Sequence, residues 1–196
     1  MAACPFVLWA CAAPAVLPLP ADQKARRAVE CRGLVDRLDR MDRELRAADS
    51  KDLAETGAVI RRVRTIGRGV IADLDALNPR DDSVRAIARD YAAQLRRLDT
   101  EYLPLLERTG DAVAKVAAAK DGYTAALKSC HDDPMQCSNK ESAADQRVAV
   151  AQKEFHTLDA EAAAKAKEFA PGERSLNERL HVECGRPERE KGDAGL

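Results

Sequence analysis

Aromatic side chains are scarce in this chain: three tyrosines, three phenylalanines and one tryptophan make up 4% of its 196 residues. A binding site for bases or sugars built on stacked rings therefore has few residues to draw on. A basic excess is lacking too, because 32 Lys and Arg are balanced by 33 Asp and Glu. Since proteins that bind nucleic acid use such an excess to neutralise phosphates, we expect no nucleic-acid partner.

The basic residues that do cluster are Arg61, Arg62, Arg64 and Arg68. Their alternative function would be a phosphate-binding patch. A short run of this kind is more typical of the solvated face of a helix, and the formal net charge of the chain is only -1. We therefore interpret the four arginines as a solvated helix face.

Catalytic and cofactor-binding motifs are also missing. No serine lies in a GxSxG context, nothing resembles a phosphate loop, and the cysteines lack CxxC and CxxCH spacings. Glu178 and His181 form one ExxH pair, whereas di-iron helix bundles need two such pairs and two further glutamates. His131 and His156 have no glutamate three residues before them. We therefore expect no enzyme activity and no cofactor, and interpret Glu178 and His181 as a surface pair.

Strand-like runs of β-branched residues are absent, whereas the helix formers Ala, Leu, Arg, Glu and Lys are abundant. The predicted fold class is all-α. Apolar residues recur at alternating spacings of three and four, the heptad pattern of helices in bundles and coiled coils. Four such stripes run from Cys31 to Ala48, Thr56 to Leu77, Val84 to Cys130 and Ala144 to Cys184.

Prolines and capping residues set the predicted helix ends, which give helices at about 22–48, 53–77, 82–130 and 141–184. Asn78-Pro79 ends the second helix, because a residue before proline resists the α conformation. Asp81 or Asp82 is expected to cap the third helix through its carboxylate. Pro104 lies inside the third stripe, whose phase continues past it, which predicts a kink and not a break. Pro171-Gly172 is predicted to interrupt the fourth helix.

Short turns between these segments predict an antiparallel up-down bundle or coiled coil of about four long helices over residues 22–185. The stripes are narrow and rich in alanine, so they bury a modest apolar area per residue and a core of this kind needs covalent staples. Residues 186–196 are charged and contain glycine, and we predict a disordered tail there.

The first charged residue is Asp22. Four prolines within residues 1–21 argue against a membrane-spanning helix, and a short apolar core followed by small residues predicts an export signal. Cleavage would follow Ala15, or the segment Leu8-Trp9-Ala10-Cys11, which resembles a bacterial lipoprotein box, would make Cys11 a lipid-bearing N-terminus. We expect a periplasmic or envelope location, with contact to the membrane only through such an anchor.

Loss of residues 1–21 leaves Cys31, Cys130, Cys137 and Cys184, and four cysteines allow three pairings. In an antiparallel hairpin, facing residues keep a constant sum of positions, so a turn near 134 places Cys130 opposite Cys137. Followed through the other turns, Cys184 lies near the level of Cys31. Pairing Cys31 with Cys130 would have to span roughly 60 Å of helix, against the ~7 Å that a disulfide allows. The predicted disulfides are 31–184 and 130–137.

The segment CHDDPMQC, residues 130–137, has a second interpretation. His131 and Met135 are soft or borderline ligands that suit copper. Pro134 and the two aspartates are ordinary turn residues, however, and a soft-metal site would need both cysteines reduced. We interpret the segment as a turn closed by a disulfide and keep a metal- or small-ligand-binding bundle as the alternative.

These observations predict an exported, non-enzymatic helical protein of the bacterial envelope. Its expected role is that of a structural, scaffolding or chaperone-like module that offers helix faces to a protein partner.

Overall fold

The structure, a computed structural model, describes residues 20–48, 56–130 and 134–186, and within these ranges it contains helices and no strand. The predicted all-α class is therefore confirmed. Five α-helices occur, and a five-residue π-helical segment, Leu98–Tyr102, joins the third to the fourth. The α-helices are α1 (Ala21–Ala48), α2 (Thr56–Ala76), α3 (Asp82–Arg97), α4 (Leu103–Cys130) and α5 (Pro134–Cys184).

The main core lies where α1, α2, α3 and the C-terminal half of α5 meet, and we call this part the body. Leu34, Leu38, Val84, Ile87 and Leu180 have no exposed surface there. Complete burial of one such side chain contributes roughly 1.5–3 kcal/mol. The predicted stripes supply most of this core. Its buried members are Cys31, Leu34, Leu38, Met41, Val70, Leu74, Val84, Ile87, Ala88, Tyr91, Ala92, Leu176 and Leu180.

Helix α5 packs antiparallel to the segment formed by α3 and α4. Asp90 pairs with Arg179, Lys115 pairs with Glu154, and the Tyr123 hydroxyl lies against Glu141. Residue numbers thus fall along α5 as they rise along α3 and α4. The contacts of α2 follow the same rule against α3 and α4. They join Asp75 to Arg96, Arg68 to Asp99 and Arg61 to Glu107.

The helices differ greatly in length, and this difference shapes the molecule. The 51 residues of α5 span about 77 Å at the helical rise, against about 32 Å for the 21 residues of α2. Gly57, at the start of α2, lies beside Asp111 of α4. The later part of α4 and the facing part of α5 therefore continue past the end of α2. We call residues 115–130 and 134–154 the hairpin.

Pro104 does not break the helical segment. Its ring nitrogen has no hydrogen to donate to the carbonyl four residues earlier, and the chain takes a π-helical turn immediately before it. The Leu103 N–H donates to the Leu98 carbonyl, five residues back. The predicted continuity is confirmed, and its local form is a π-helical turn.

The prediction for the fourth helix was wrong in two respects. The helix begins at Pro134 and not near Glu141, and it continues through Pro171 without interruption. Pro171 is exposed, so water can reach the carbonyl that loses its partner. In addition, Gln94 of α3 donates from Nε2 to the Phe169 carbonyl beside the proline, at 3.4 Å. Packing and solvation together offset one missing backbone bond.

Gly185 ends α5 in a left-handed conformation with φ of 66°. Its N–H donates to the His181 carbonyl, the arrangement of an αL C-cap that favours glycine. The chain then turns back, so that Arg186, which the sequence analysis placed in the tail, is buried against α1.

Candidate interaction surface

A disulfide joins the first helix of the body to the last. Cys31 of α1 and Cys184 of α5 have Cα atoms 5.1 Å apart, across a sequence separation of 153 residues. Cys31 is 3% exposed, so the link belongs to the core. This predicted pairing is confirmed, because helices of constant rise bring the two positions to the same level.

A charged group next to the disulfide holds three elements together. Arg27 of α1 donates to Asp81 at 2.8 Å and to Glu183 of α5 at 2.9 Å. Asp81 caps α3, accepting from the backbone N–H groups of Ser83 and Val84, as predicted. Burial raises the pKa of the Asp81 carboxyl, but the hydrogen bonds from Arg27 and these amides outweigh burial and hold the pKa below its usual value.

Arg186 makes a second charged contact with α1, about three to four turns further along the helix than Arg27. Its guanidinium donates to Asp39 at 2.7 Å and to Asp42 at 2.8 Å. The Arg186 carbonyl lies 2.7 Å from Nδ1 of His181, so this histidine of the ExxH pair has a backbone partner. This contact could not be predicted from the sequence, because a single arginine after a helix-ending glycine resembles any charged residue of a tail.

The arginine cluster of α2 is engaged within the molecule. Arg64 bonds Asp99 at 3.0 Å and Glu107 at 3.1 Å, Arg68 bonds Asp99 at 2.9 Å, and Arg61 bonds Glu107 at 3.0 Å. Burial raises the pKa of the Asp99 carboxyl, but hydrogen bonds from Arg68 and Arg64 leave it lowered overall. Three of the four clustered arginines therefore form ion pairs between helices, whereas we predicted only that the four arginines form a solvated helix face.

The hairpin has a thinner core than the body. In its 4-3 stripe, Val116, Tyr123 and Val148 are only half-buried, whereas the small residues Ala144 and Ala151 are buried. Two helices alone cover a large side chain from one direction, and a third neighbour is needed to enclose it. The hairpin thus keeps apolar surface accessible along its length.

Large apolar side chains stand exposed on both arms of the hairpin. Val150 of α5 is 68% exposed and Leu127 of α4 is 41% exposed. A depression of about 790 Å³ follows α5 between Ala149 and Glu161 and is lined by that helix alone. A single helix cannot enclose a ligand, so this feature is an open face and not a cavity. Its chemistry suits a flat partner surface.

Charges are sparse on the outward face of α5. Between Asn139 and Ala164, eight exposed positions recur at alternating spacings of four and three, and Lys153 is the only charged residue among them. We call these eight positions the outer stripe. The heptad pattern of apolar residues does not reveal this stripe, because most of its residues are alanine or uncharged polar residues. The outer stripe is Asn139, Ala143, Gln146, Val150, Lys153, Thr157, Ala160 and Ala164.

The remaining predicted site residues lie partly outside the described chain. The alternative metal ligands His131 and Met135 and the lipidation candidate Cys11 are not among the described side chains, and neither is Cys130. Cys137 is disulfide-bonded, but its pairing with Cys130 stays a prediction. Among the described side chains, no group of three or more His, Cys, Asp or Glu is placed to hold a metal ion.

Within the three described ranges, no helix carries an apolar stretch of the length needed to cross a bilayer. Compared with protein-family models, with curated proteins and with solved structures, the chain matches none. The case for a function therefore depends on the surface of the molecule itself.

Proposed function

We propose that the protein is an exported, non-enzymatic scaffold of the bacterial envelope that binds other proteins through the faces of its hairpin. The observation that carries the proposal is the contrast between the two ends of the molecule. Around the disulfide, Arg27, Asp81 and Arg186 are engaged in ion pairs. Along the hairpin, Val150 and Leu127 stay exposed beside a half-buried stripe. Exposed apolar helix faces of this kind are surfaces that partner helices bury.

The proposal includes an antiparallel up-down order for all the helical segments, supported by the opposed contacts of α2 and α5 with α3 and α4. It also includes a disulfide between Cys130 and Cys137 at the tip of the hairpin. Such a link would hold the two arms of the hairpin together at their ends. An oxidising compartment, such as the periplasm, would sustain both disulfides. Residues 1–21 would direct export, and lipidation of Cys11 would tether the chain to a membrane.

Site-specific photo-crosslinking in intact bacterial cells that produce the protein tests the proposal. A photoreactive amino acid is placed at Val150 or Leu127 on the hairpin, or at Val182 on the body. Val182 is a matched control, because it is an exposed valine of the same helix, 77% exposed against 68% for Val150. We expect discrete adducts from both hairpin positions, with a different protein captured at Leu127, and none from Val182.

The partner contact is then checked with a pair of substitutions. Val150→Asp places a charge on the hairpin face, and Val182→Asp places the same charge on the body. Since both positions are exposed, neither change should alter the thermal melting of the protein by more than a few degrees. With the photoreactive amino acid at Leu127, loss of the adduct in V150D and its retention in V182D support the proposal. Adducts of equal yield from Val182, or no adduct with another protein at any position, would refute it.

A further inference from the structure

The outer stripe of α5 is flanked by a regular row of charges. Lys140, Arg147, Glu154 and Glu161 follow at intervals of seven residues, so they lie along one edge of the stripe. All four are exposed. The first two are basic and the last two are acidic, and the sign changes at the middle of the stripe. The opposite edge, formed by Ser142, Ala149, His156 and Ala163, carries no carboxylate, ammonium or guanidinium group.

A row with this order is complementary to itself when it is reversed. In an antiparallel pair of identical helices, the beginning of the row on one helix lies beside the end of the row on the other. Lys140 then faces Glu161 of the second helix, and Arg147 faces Glu154. The two-fold axis repeats each pair, so that all eight charges lie opposite a charge of the other sign.

The same register brings the two outer stripes face to face. Ala143 then lies opposite Ala160 of the other copy, Gln146 opposite Thr157, and Val150 beside Lys153. The alanines Ala143 and Ala160 allow the helix axes to approach closely at these levels, and the stems of the two Lys153 side chains can cover the exposed Val150 side chains. A parallel pair would instead place the charged row opposite the uncharged edge and make no ion pairs. One arrangement therefore satisfies both the shape and the charge of the face.

We propose that the outer stripe of α5 is a dimerisation surface, occupied by the same stripe of a second, antiparallel copy of this protein. This inference deepens the proposed function and rests on it for the role of the hairpin as an interaction element. It leaves Leu127 and the α4 arm open to another partner. The contact between Glu154 and Lys115 at 2.7 Å uses one carboxylate oxygen, so Glu154 can accept from Arg147 of the second copy with the other.

Sedimentation equilibrium of the purified, oxidised protein over a wide concentration range tests the dimer. We expect a reversible monomer–dimer equilibrium that weakens when the salt concentration is raised, because exposed ion pairs are screened. Arg147→Glu should weaken the dimer about tenfold or more, since it turns two attractive contacts into repulsive ones. The double variant R147E/E154R should restore the wild-type dissociation constant, because the swapped charges are again complementary.

Two further comparisons separate dimerisation from folding. E154R also loses the contact with Lys115, so K140E and the swap K140E/E161K repeat the test at the ends of the row. Lys128→Glu on α4 is the matched charge control and should leave the dimer unchanged. Circular dichroism melting of each variant as a dilute monomer confirms the fold.

A wild type that stays monomeric at all concentrations, or a dimer whose dissociation constant is unchanged by R147E, would overturn the proposed dimerisation surface. So would a swap that fails to restore association. Dimerisation without any adduct to another protein in the crosslinking experiment would retain the dimer and refute the proposed function. An adduct of Leu127 with another protein, together with a wild type that stays monomeric, would refute the dimer and retain the proposed function.

Discussion

Cys31 and Cys184 lie with their Cα atoms 5.1 Å apart although 153 positions separate them in the chain. Cross-linking such distant positions removes many conformations from the unfolded chain, an effect of about 5 kcal/mol in the chain-entropy description. We expect C31A/C184A to lose up to that amount of unfolding free energy in urea denaturation. The matched change C130A/C137A removes the predicted link that closes a loop of only eight residues and should cost about 2.5 kcal/mol at most. Equal losses from the two changes would contradict the prediction.

Asp81 makes part of the stability dependent on pH. Its folded-state pKa lies below the ordinary value of 3.8. The stabilisation is therefore complete above about pH 4 and is lost as the pH falls through the lower, folded-state pKa. Asp81→Asn keeps an oxygen for the cap but removes the charge beside Arg27. We expect D81N to be less stable than wild type at pH 7 and to lose less stability between pH 5 and pH 2, measured by urea denaturation at each pH.

Core substitutions should cost more unfolding free energy in the body than in the hairpin. Leu180 has no exposed surface, so Leu180→Ala should cost about 3 kcal/mol of unfolding free energy through lost transfer energy and a cavity. Val148, in the hairpin, is half-buried, and Val148→Ala should cost about 1 kcal/mol or less. Chemical denaturation of both variants gives the comparison. A loss at Val148 as large as that at Leu180 would show that the hairpin face is covered by another surface.

Amide hydrogen exchange should show the same difference without mutation. Local opening requires less free energy where few apolar contacts are buried. We expect the amides of residues 138–150 to exchange faster than those of residues 84–92 in α3, whose core face is fully buried. Mass spectrometry after pepsin digestion resolves the two segments. High protein concentration should slow exchange in residues 138–150 if the dimer forms there, and dilution should restore the faster rate.

Arg186 should contribute to stability beyond what its position near the C-terminal end indicates. Arg186→Ala removes two charge-assisted hydrogen bonds and takes away the guanidinium beside the carboxylates of Asp39 and Asp42. We expect a loss of about 2 kcal/mol of unfolding free energy. Arg174→Ala, at an exposed position of α5, is the control and should change stability by less than about 0.5 kcal/mol. Thermal melts of the two variants at neutral pH and moderate salt measure the difference.

Long-range features of the fold could be predicted where regular helix geometry alone decided them. The Cys31–Cys184 pairing required only a constant rise per residue and the positions of the turns, and the stripes that contain Leu34 and Leu180 required only the heptad spacing. The interruption at Pro171 was predicted wrongly because the sequence does not show that the position is exposed or that Gln94 supports the neighbouring backbone. Local rules describe an isolated helix, whereas the packed neighbour decides whether the helix continues.

The candidate surface was harder to predict for a different reason. Val150 lies outside the apolar stripes. It matters because α2 is short, so that the body ends well before the tip of α5. The unequal helix lengths were present in the sequence, but their consequence appears only when the helices are placed side by side. Arg186 illustrates the opposite limit, because its two aspartate partners lie more than 140 positions earlier in the chain.

The link between Cys31 and Cys184 also determines how the molecule would bear a mechanical load. A pull applied to the two chain ends passes from α1 directly into the end of α5 through a covalent bond. The polypeptide between the two sulfur atoms, including the whole hairpin, lies outside that load path. If the chain is held at one end and pulled at the other, the tension therefore bypasses the hairpin, whose surfaces keep their shape.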